Sequence, residues 1–306
     1  MVFTGGANKL FRIIILLTVV AIASYAMAWA SENPVKDTIK IVKARKINDL
    51  RAQYNFTVLR RAMELTKPEF GEYSIQTVEQ RIPSTRLRQL IVEGDVINTA
   101  MAVTNNEWER SALPVRIPLR RGILSYRLLL THKEQLVEFA KITTVKQLKQ
   151  KKVGLLRHWS TWETMTNLGY HVVNSYSYES IFTMLDRQRF DYVPRGIHEI
   201  YEELELREQQ LTGLTVEPNL ALYIPAPFYV FVSPNQPRLH QRLSQGLELM
   251  VQQGELASML KLYYADYIER AAIAKRVILD VGNPVLPEKT PIDRKELWIS
   301  WDDMSK

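Results

Sequence analysis

Apolar and polar residues alternate from Thr38 to Ala44 (TIKIVKA), the period of a half-buried strand. From Tyr54 to Leu65 the spacing becomes helical, with Phe56, Leu59 and Met63 on one face. Tyr73–Val78 predicts a second strand. Pro83 then opens a short helix with a stripe of Leu87, Leu90 and Ile91, stopped at Gly94. Val96–Val103 (VINTAMAV) is short and largely apolar, as in a strand of a parallel sheet. In Arg116–Arg127 (RIPLRRGILSYR), Pro118 and Gly122 interrupt an extended pattern, and Ile123–Leu130 forms another apolar strand.

Thr143 to Glu203 reads strand–helix–strand–helix–strand, a compact unit with a strand at Val153–Leu156 and neither end of the chain nearby. Tyr223–Ser233 (YIPAPFYVFVS) is a second strand broken by proline. Leu239, Leu243, Leu247 and Met250 line a helix that stops at Gly254, and Leu256, Met259, Leu260 and Tyr263 continue as a second one. The tail from Val281 is rich in proline and acid and is expected to wrap the first lobe without regular structure. An α/β unit inserted between two flanking halves wires a clamp. The pattern predicts residues 31–125 and 228–306 as one lobe and 126–227 as the other, with the two proline-interrupted segments as crossings.

Composition narrows the setting. Lys9 and Arg12 precede an apolar run from Ile13 to Ala23, and small residues lead to Ala28-Trp29-Ala30. This is the pattern of a signal peptide over residues 1–30, cleaved near Ala30, with a retained anchor as the alternative. The 306 residues contain no cysteine, which excludes disulfides and a lipid-modified cysteine, so the expected setting is the periplasm. At 46% hydrophobic and 24% charged residues the chain is globular. The net charge of +7, or +5 without Lys9 and Arg12, is scattered and matched by nearby acids. No basic block with interleaved aromatics marks a nucleic-acid surface. A mild positive excess suits either an anionic ligand or a solvated basic surface.

Several segments resemble the extracellular solute-binding proteins of the amino-acid-binding type (family 3), with a type II periplasmic binding fold. VKQLKQKKVGLL is similar to that family's entry into its second lobe, and YSYESIFTMLDRQRFDY to its following helix and strand. LHQRLSQGLELMVQQGELASMLKLYY is similar to its closing helices, and AVTNNEWERSALPVRIPL occupies the place of its T-x-x-R ligand loop. RIPLRRGILSYR, FDYVPRGIHE and PVLPEKTPIDRKELW look like a divergent subgroup without an assigned ligand. The resemblance spans Thr38 to Tyr264. It implies two α/β lobes, each a mainly parallel sheet flanked by helices, joined by two hinge strands and closing on a small anionic or zwitterionic solute. An amino-acid-like molecule or an organic acid is the implied class. An ABC-transporter permease or a membrane sensor is the implied reader of a monomeric binding protein. The family often places an acid shortly after the position of Asp191 to hold an α-amino group; here Pro194, Arg195 and Gly196 follow.

Candidate ligand-binding residues fall at the ends of predicted strands, where open α/β sheets gather ligands. Ser160 and Glu163 fit an S-x-x-E capping box directly after Val153–Leu156. Arg157, Ser160 and Thr161 can therefore hold an anion at a helix start, or simply cap it. Trp159 and Trp162 can stack on a ligand or pack the lobe. Arg110 and Arg116 offer a bidentate grip on an anion, or surface ion pairs. Arg195 lies at a strand end, and Asp191 reads as structural.

Of the five histidines none forms an H-x-x-x-H pair, so no metal or cofactor is expected, and His198-Glu199 reads as helix surface. No G-x-S-x-G elbow, P-loop or G-x-G-x-x-G occurs. A binding protein is thus expected rather than an enzyme. The alternatives are a cyclohexadienyl-dehydratase-like enzyme on the same fold, with Glu107, Glu163 or Glu199 as its acid, and a ligand-independent envelope interaction module.

Overall fold

The computed structural model describes residues 36–43, 49–79 and 82–301. The leader expected over residues 1–30 lies outside the described residues. No helix among them is long and apolar enough to cross a membrane.

Among the described residues the first element is β1 (Asp37–Val42), whose burial alternates residue by residue as its sequence does. Helix α1 (Leu50–Leu65) is capped by Asp49, which accepts from Arg51 N–H at 3.0 Å. Its buried face is Tyr54, Val58, Leu59, Ala62 and Met63. Phe56, expected on that face, points outward and is 39% exposed, because Tyr54 and Val58 set the stripe instead. Strand β2 (Tyr73–Val78) pairs parallel with β1. Helix α2 (Ser84–Glu93) follows Pro83 and ends at Gly94, whose φ of 79° supplies the left-handed stop. Then come β3 (Thr99–Val103), α3 (Asn106–Ser111) and β4 (Leu113–Val115).

After a turn of 3-10 helix at Ile123–Ser125, β5 (Tyr126–His132) starts the second sheet. It is followed by β6 (Lys152–Leu155), α4 (Ser160–Asn167), β7 (His171–Asn174), α5 (Tyr178–Asp186), β8 (Tyr192–Gly196) and α6 (Ile200–Glu205). Strands β9 (Leu214–Val216) and β10 (Leu220–Tyr223) close this part. The chain returns through β11 (Phe228–Val232) to α7 (Pro237–Gln252) and α8 (Glu255–Ala271), and ends with β12 (Val277–Asp280) and the tail.

Two lobes result. In the first, β11 lies between β3 and β4 and runs antiparallel to both. The expectation of a parallel setting for β3 fails here, because its neighbour is the returning crossing strand. Asn98 joins this sheet to β1: its side chain accepts from Lys40 N–H (2.8 Å) and donates to Thr38 O (2.7 Å), standing in for a ladder. Period-two burial on β11 makes two cores. Val230 and Val232 pack toward Val58, Leu59 and Leu243, while Tyr229 and Phe231 pack toward Ile91 and Trp108. The second sheet has the order β12-β10-β5-β8-β6-β7, with β9 also on β5. Its β6–β7, β6–β8 and β10–β12 pairs are parallel, and β5, entering from the first lobe, runs antiparallel to its neighbours.

Besides the crossings at 116–125 and 224–227, two more passages link the lobes. Helix α8 begins on the first lobe, where Glu255 takes a bidentate pair from Arg61 (both 2.6 Å). It ends against the second, where Tyr201 donates to Arg270 O (2.7 Å), Arg270 pairs with Glu205 (2.6 Å) and Tyr267 bonds Glu202. Strand β12 then extends the second sheet, which the sequence did not signal. The tail returns as expected without strands, forming one 3-10 turn at Lys295–Leu297. It fastens to the first crossing through Ile299 N–H on Arg121 O (2.7 Å) and to α7 through Arg294 and Glu248 (2.7 Å).

Candidate functional site

A cavity of about 560 Å³ lies between the lobes. From the first lobe and the crossing it is lined by Arg51, Asn55, Arg120 and Phe228, among others. The second lobe contributes Arg127, Trp159, Ser160, Thr161, Tyr178, Arg195, His198 and Glu199. A neighbouring hollow of about 470 Å³ shares Arg51, Tyr178, Arg195, His198 and Glu199, and adds Glu202, Glu203 and Tyr267.

Arg195 stands at the end of β8, where the strand's carboxyl end faces the cleft, and is 7% exposed. Its guanidinium makes a bidentate pair with buried Glu203 of α6, with Nε at 2.6 Å, and lies 4.3 Å from the Trp159 ring centre. Tyr178 of α5 also donates to Glu203 (2.6 Å). Three elements of the second lobe are thus locked around one ion pair. The acid beside Arg195 is therefore structural, not free for a ligand.

Glu199 sits among arginines. Its Oε2 is 3.2 Å from Arg195 Nη2, 3.9 Å from Arg127 Nη1 and accepts from Gly196 N–H at 3.2 Å. Its Oε1 is 3.8 Å from both Arg51 Nη1 and His198 Nε2. Burial by itself would raise its pKa, but Arg195, His198 and Arg127 together with the Gly196 amide hold it down at about 2. His198 is 6% exposed and its Nδ1 has no partner among the described residues. Burial, with Arg120, Arg127 and Arg51 against it, pushes its pKa down to about 3 despite Glu199. A Cβ at residue 196 would sit 2.9 Å from the His198 ring, so Gly196 lets the imidazole tuck under the strand end. His198 and Glu199, expected as helix surface, are enclosed because the turn after β8 folds back over the cleft.

Arg120 and Arg127 are buried, at 5% and 8% exposure. Arg120 donates from Nη2 to Asn55 (3.2 Å) and lies 4.4 Å from the Phe228 ring centre, while its Nε has no partner among the described residues. The Nε of Arg127 likewise has no partner among the described residues. Burial lowers the pKa of both, with Glu199 acting in the opposite sense.

The other candidates divide. Trp159, Ser160, Thr161 and Arg195 all reach the cavity. The capping box at Ser160 does not form: Trp159, with extended φ and ψ, takes the cap position and Ser160 is the first helical residue. The first intrahelical bond runs from Trp162 N–H to Trp159 O (3.0 Å), so the Ser160 and Thr161 amides precede the helical ladder. Arg157 is exposed on a smaller hollow behind Trp159, 5.7 Å from the Trp162 ring centre. Arg110 is exposed and Arg116 is tied to Glu109 (2.7 Å), which also accepts from Thr104 (2.9 Å). Neither arginine lines the cavity, and Arg116 is held within its own loop by Glu109. Asp191 accepts from Lys152 N–H (2.6 Å) and fixes β6 beside β8. Arg51, Arg120, Arg127, His198 and Glu203 were missed; the one available signal was that RIPLRRGILSYR forms a crossing, and crossings border the cleft.

No protein-family model matches the sequence, and neither does any curated protein sequence. Among solved structures, one from work on glutathione import through GshT and the cystine ABC importer TcyBC of Streptococcus mutans is 13% identical. The match covers 76% of this chain and 96% of that one, with a TM-score of 0.51. An ancestral arginine-binding protein bound to arginine is 14% identical over 76% of this chain and 98% of that one, with a TM-score of 0.47. A periplasmic binding protein of Salmonella typhimurium with high arginine specificity is 15% identical over 74% and 98%, at 0.48. The fold is that of the type II periplasmic solute-binding proteins; at these identities the likeness extends no further than the fold.

Proposed function

We propose that the protein is an exported solute-binding clamp that closes on one small anionic or zwitterionic molecule and is read in its closed form by a membrane importer or sensor. The observation that carries this reading is the cavity between the lobes, whose lining comes from both. An occupant touching both lobes binds the closed arrangement better than the open one, and this differential affinity is what a clamp needs. Its lining has four arginines, Arg51, Arg120, Arg127 and Arg195, against the carboxylates Asp49 and Glu199. That balance favours an anion and opposes a basic amino acid, whose side chain would meet guanidinium groups.

Binding is favoured over a dehydratase by the state of the acids. Glu199, held at about 2, stays ionised near neutral pH and has no proton to give as a general acid. Glu107 is exposed and paired with Arg88 (2.8 Å), away from the cavity lining. Glu163 borders only the smaller hollow.

Thermal unfolding of the purified protein with a panel of amino acids, organic acids, small peptides, sugars and phosphate esters tests the reading. A true ligand at roughly a hundred times its Kd stabilises by about 2.7 kcal/mol, a shift well above noise. Anionic or zwitterionic members are expected to shift the midpoint and lysine or arginine to leave it unchanged. A panel in which no solute moves the midpoint overturns the proposal.

A further inference from the structure

Three buried nitrogens that have no hydrogen-bond partner among the described residues belong to side chains lining one cavity. Arg120 Nε comes from the first crossing, Arg127 Nε from the second residue of β5 and His198 Nδ1 from the turn after β8. All three side chains line the same cavity between the lobes. We infer that they form the seat of the occupant's charged group, and that this group is an oxyanion, a carboxylate or a phosphate. The inference rests on the solute-binding reading and locates the anion at the crossing, away from Arg110, Arg116 and the loop after β3.

Hydrogen bonding argues first. A buried donor without a partner loses its hydration for nothing, which is why such groups are rare in folded proteins. Among the described residues Arg120 makes one hydrogen bond, to Asn55, and the carboxylate nearest Arg127, Glu199, is 3.9 Å away, beyond hydrogen-bonding range. The imidazole Nε2 lies 3.8 Å from Glu199, equally too far. An oxyanion offers several lone pairs at once and can accept from both guanidinium groups and from His198 when Nδ1 carries the proton.

Charge argues second. Asp49 is committed to Arg51 at 3.0 Å and Glu203 to Arg195. Glu199 then stands alone against Arg120 and Arg127, and it is already 3.2 Å from Arg195. One positive charge is left over in an enclosed place. A single net negative charge on the occupant neutralises it, whereas a neutral carbonyl or hydroxyl accepts hydrogen bonds without doing so. The seat also explains a clamp's closure. Arg120 lies within the crossing and Arg127 follows it on β5, so an anion held by both bridges the hinge.

The test is calorimetric, at fixed ionic strength, with the purified protein and matched pairs of probes. Propionate, succinate and glutamate are compared with their amides, and inorganic phosphate and glycerol phosphate with neutral glycerol. The charged member of at least one pair is expected to bind, and its neutral counterpart at least tenfold more weakly. Binding confined to the carboxylates or to the phosphates identifies which oxyanion the seat takes. Arg120→Met and Arg127→Met should each weaken that binding at least tenfold, while Arg110→Met and Arg116→Met change it less than twofold. Without probe, the two cleft variants should unfold at an unchanged or higher midpoint, since each removes a buried cation lacking a full partner. If one of them fails to fold, the other and the amide comparison decide. Equal binding of the neutral counterparts, or loss of binding in the Arg110 or Arg116 variants alone, overturns the seat and leaves the clamp standing. Absence of binding by every probe here and every solute of the thermal panel overturns both.

Discussion

Asp37→Ala should destabilise the protein by about 3–5 kcal/mol, the usual result of stripping the counter-ion from a buried charge. The charge left behind is Arg242, whose side chain is fully buried in α7 against the start of β1. Its Nη1 holds Asp37 at 2.9 Å, and its other nitrogens reach Thr66 Oγ1 (3.1 Å) and the carbonyls of Met63 (3.2 Å) and Gly71 (2.7 Å). One guanidinium therefore ties a helix near the end of the chain to the strand, helix and turn that open the first lobe. Arg242→Met leaves those carbonyls and Asp37 short of a donor and should cost about as much. Asp37 keeps Arg238 at 3.3 Å, but that arginine is half exposed and cannot replace the buried contacts. In urea denaturation the double variant Asp37→Ala/Arg242→Met should be markedly more stable than the sum of the two losses implies, because the second change removes the charge the first had orphaned. Strict additivity would show that the pair is incidental to the lobe. The cavity between the lobes lies elsewhere, so any solute that binds the wild type should still bind the folded fraction of each single variant.

This ion pair was silent in the sequence for the same reason that part of the site was. Periodicity is local, so β1, α1, the inserted unit and the two long helices α7 and α8 could be read from spacing alone. What periodicity lacks is the identity of a partner some two hundred residues away. Asp37 stands just before the strand read at Thr38–Ala44, and Arg242 is one more basic residue between Leu239 and Leu243. The rule that ligands gather at strand ends drew attention to Trp159, Ser160, Thr161 and Arg195, and these reach the cavity. Arg110 and Arg116 were drawn from loop resemblance, and there Glu109 accepts from both Thr104 and Arg116. Arg120, Arg127 and His198 meet only because the crossing and the turn after β8 converge. Nothing in RIPLRRGILSYR distinguishes Arg120, which enters the cleft, from Arg121, which turns to the carbonyls of Glu296 and Trp298.

The same convergence makes stability depend on pH through His198. Its pKa falls from an ordinary 6.5 to about 3 because of burial first and the surrounding arginines after it, against the pull of Glu199. The unfolded chain therefore takes up a proton below pH 6.5 that the folded protein refuses. The stability tied to the neutral imidazole is whole above that pH. It drains as pH falls, at up to about 1.4 kcal/mol per unit, until the folded state accepts the proton near 3. Glu199 acts in the same direction but lower, from its ordinary 4.5 down to about 2. Between pH 6.5 and 4.5 the loss between these two groups belongs to His198, and it should reach about 2 kcal/mol. In urea denaturation at stepped pH, His198→Gln should lose that slope while keeping the fall below pH 4.5. An unchanged slope in the variant would mean the imidazole takes up its proton as readily in the folded protein as in the unfolded chain. An oxyanion seated beside Arg120 and Arg127 offsets the charges that expel the proton. A saturating solute should therefore flatten the wild-type slope and leave that of the variant as it was, coupling proton uptake to capture of the anion.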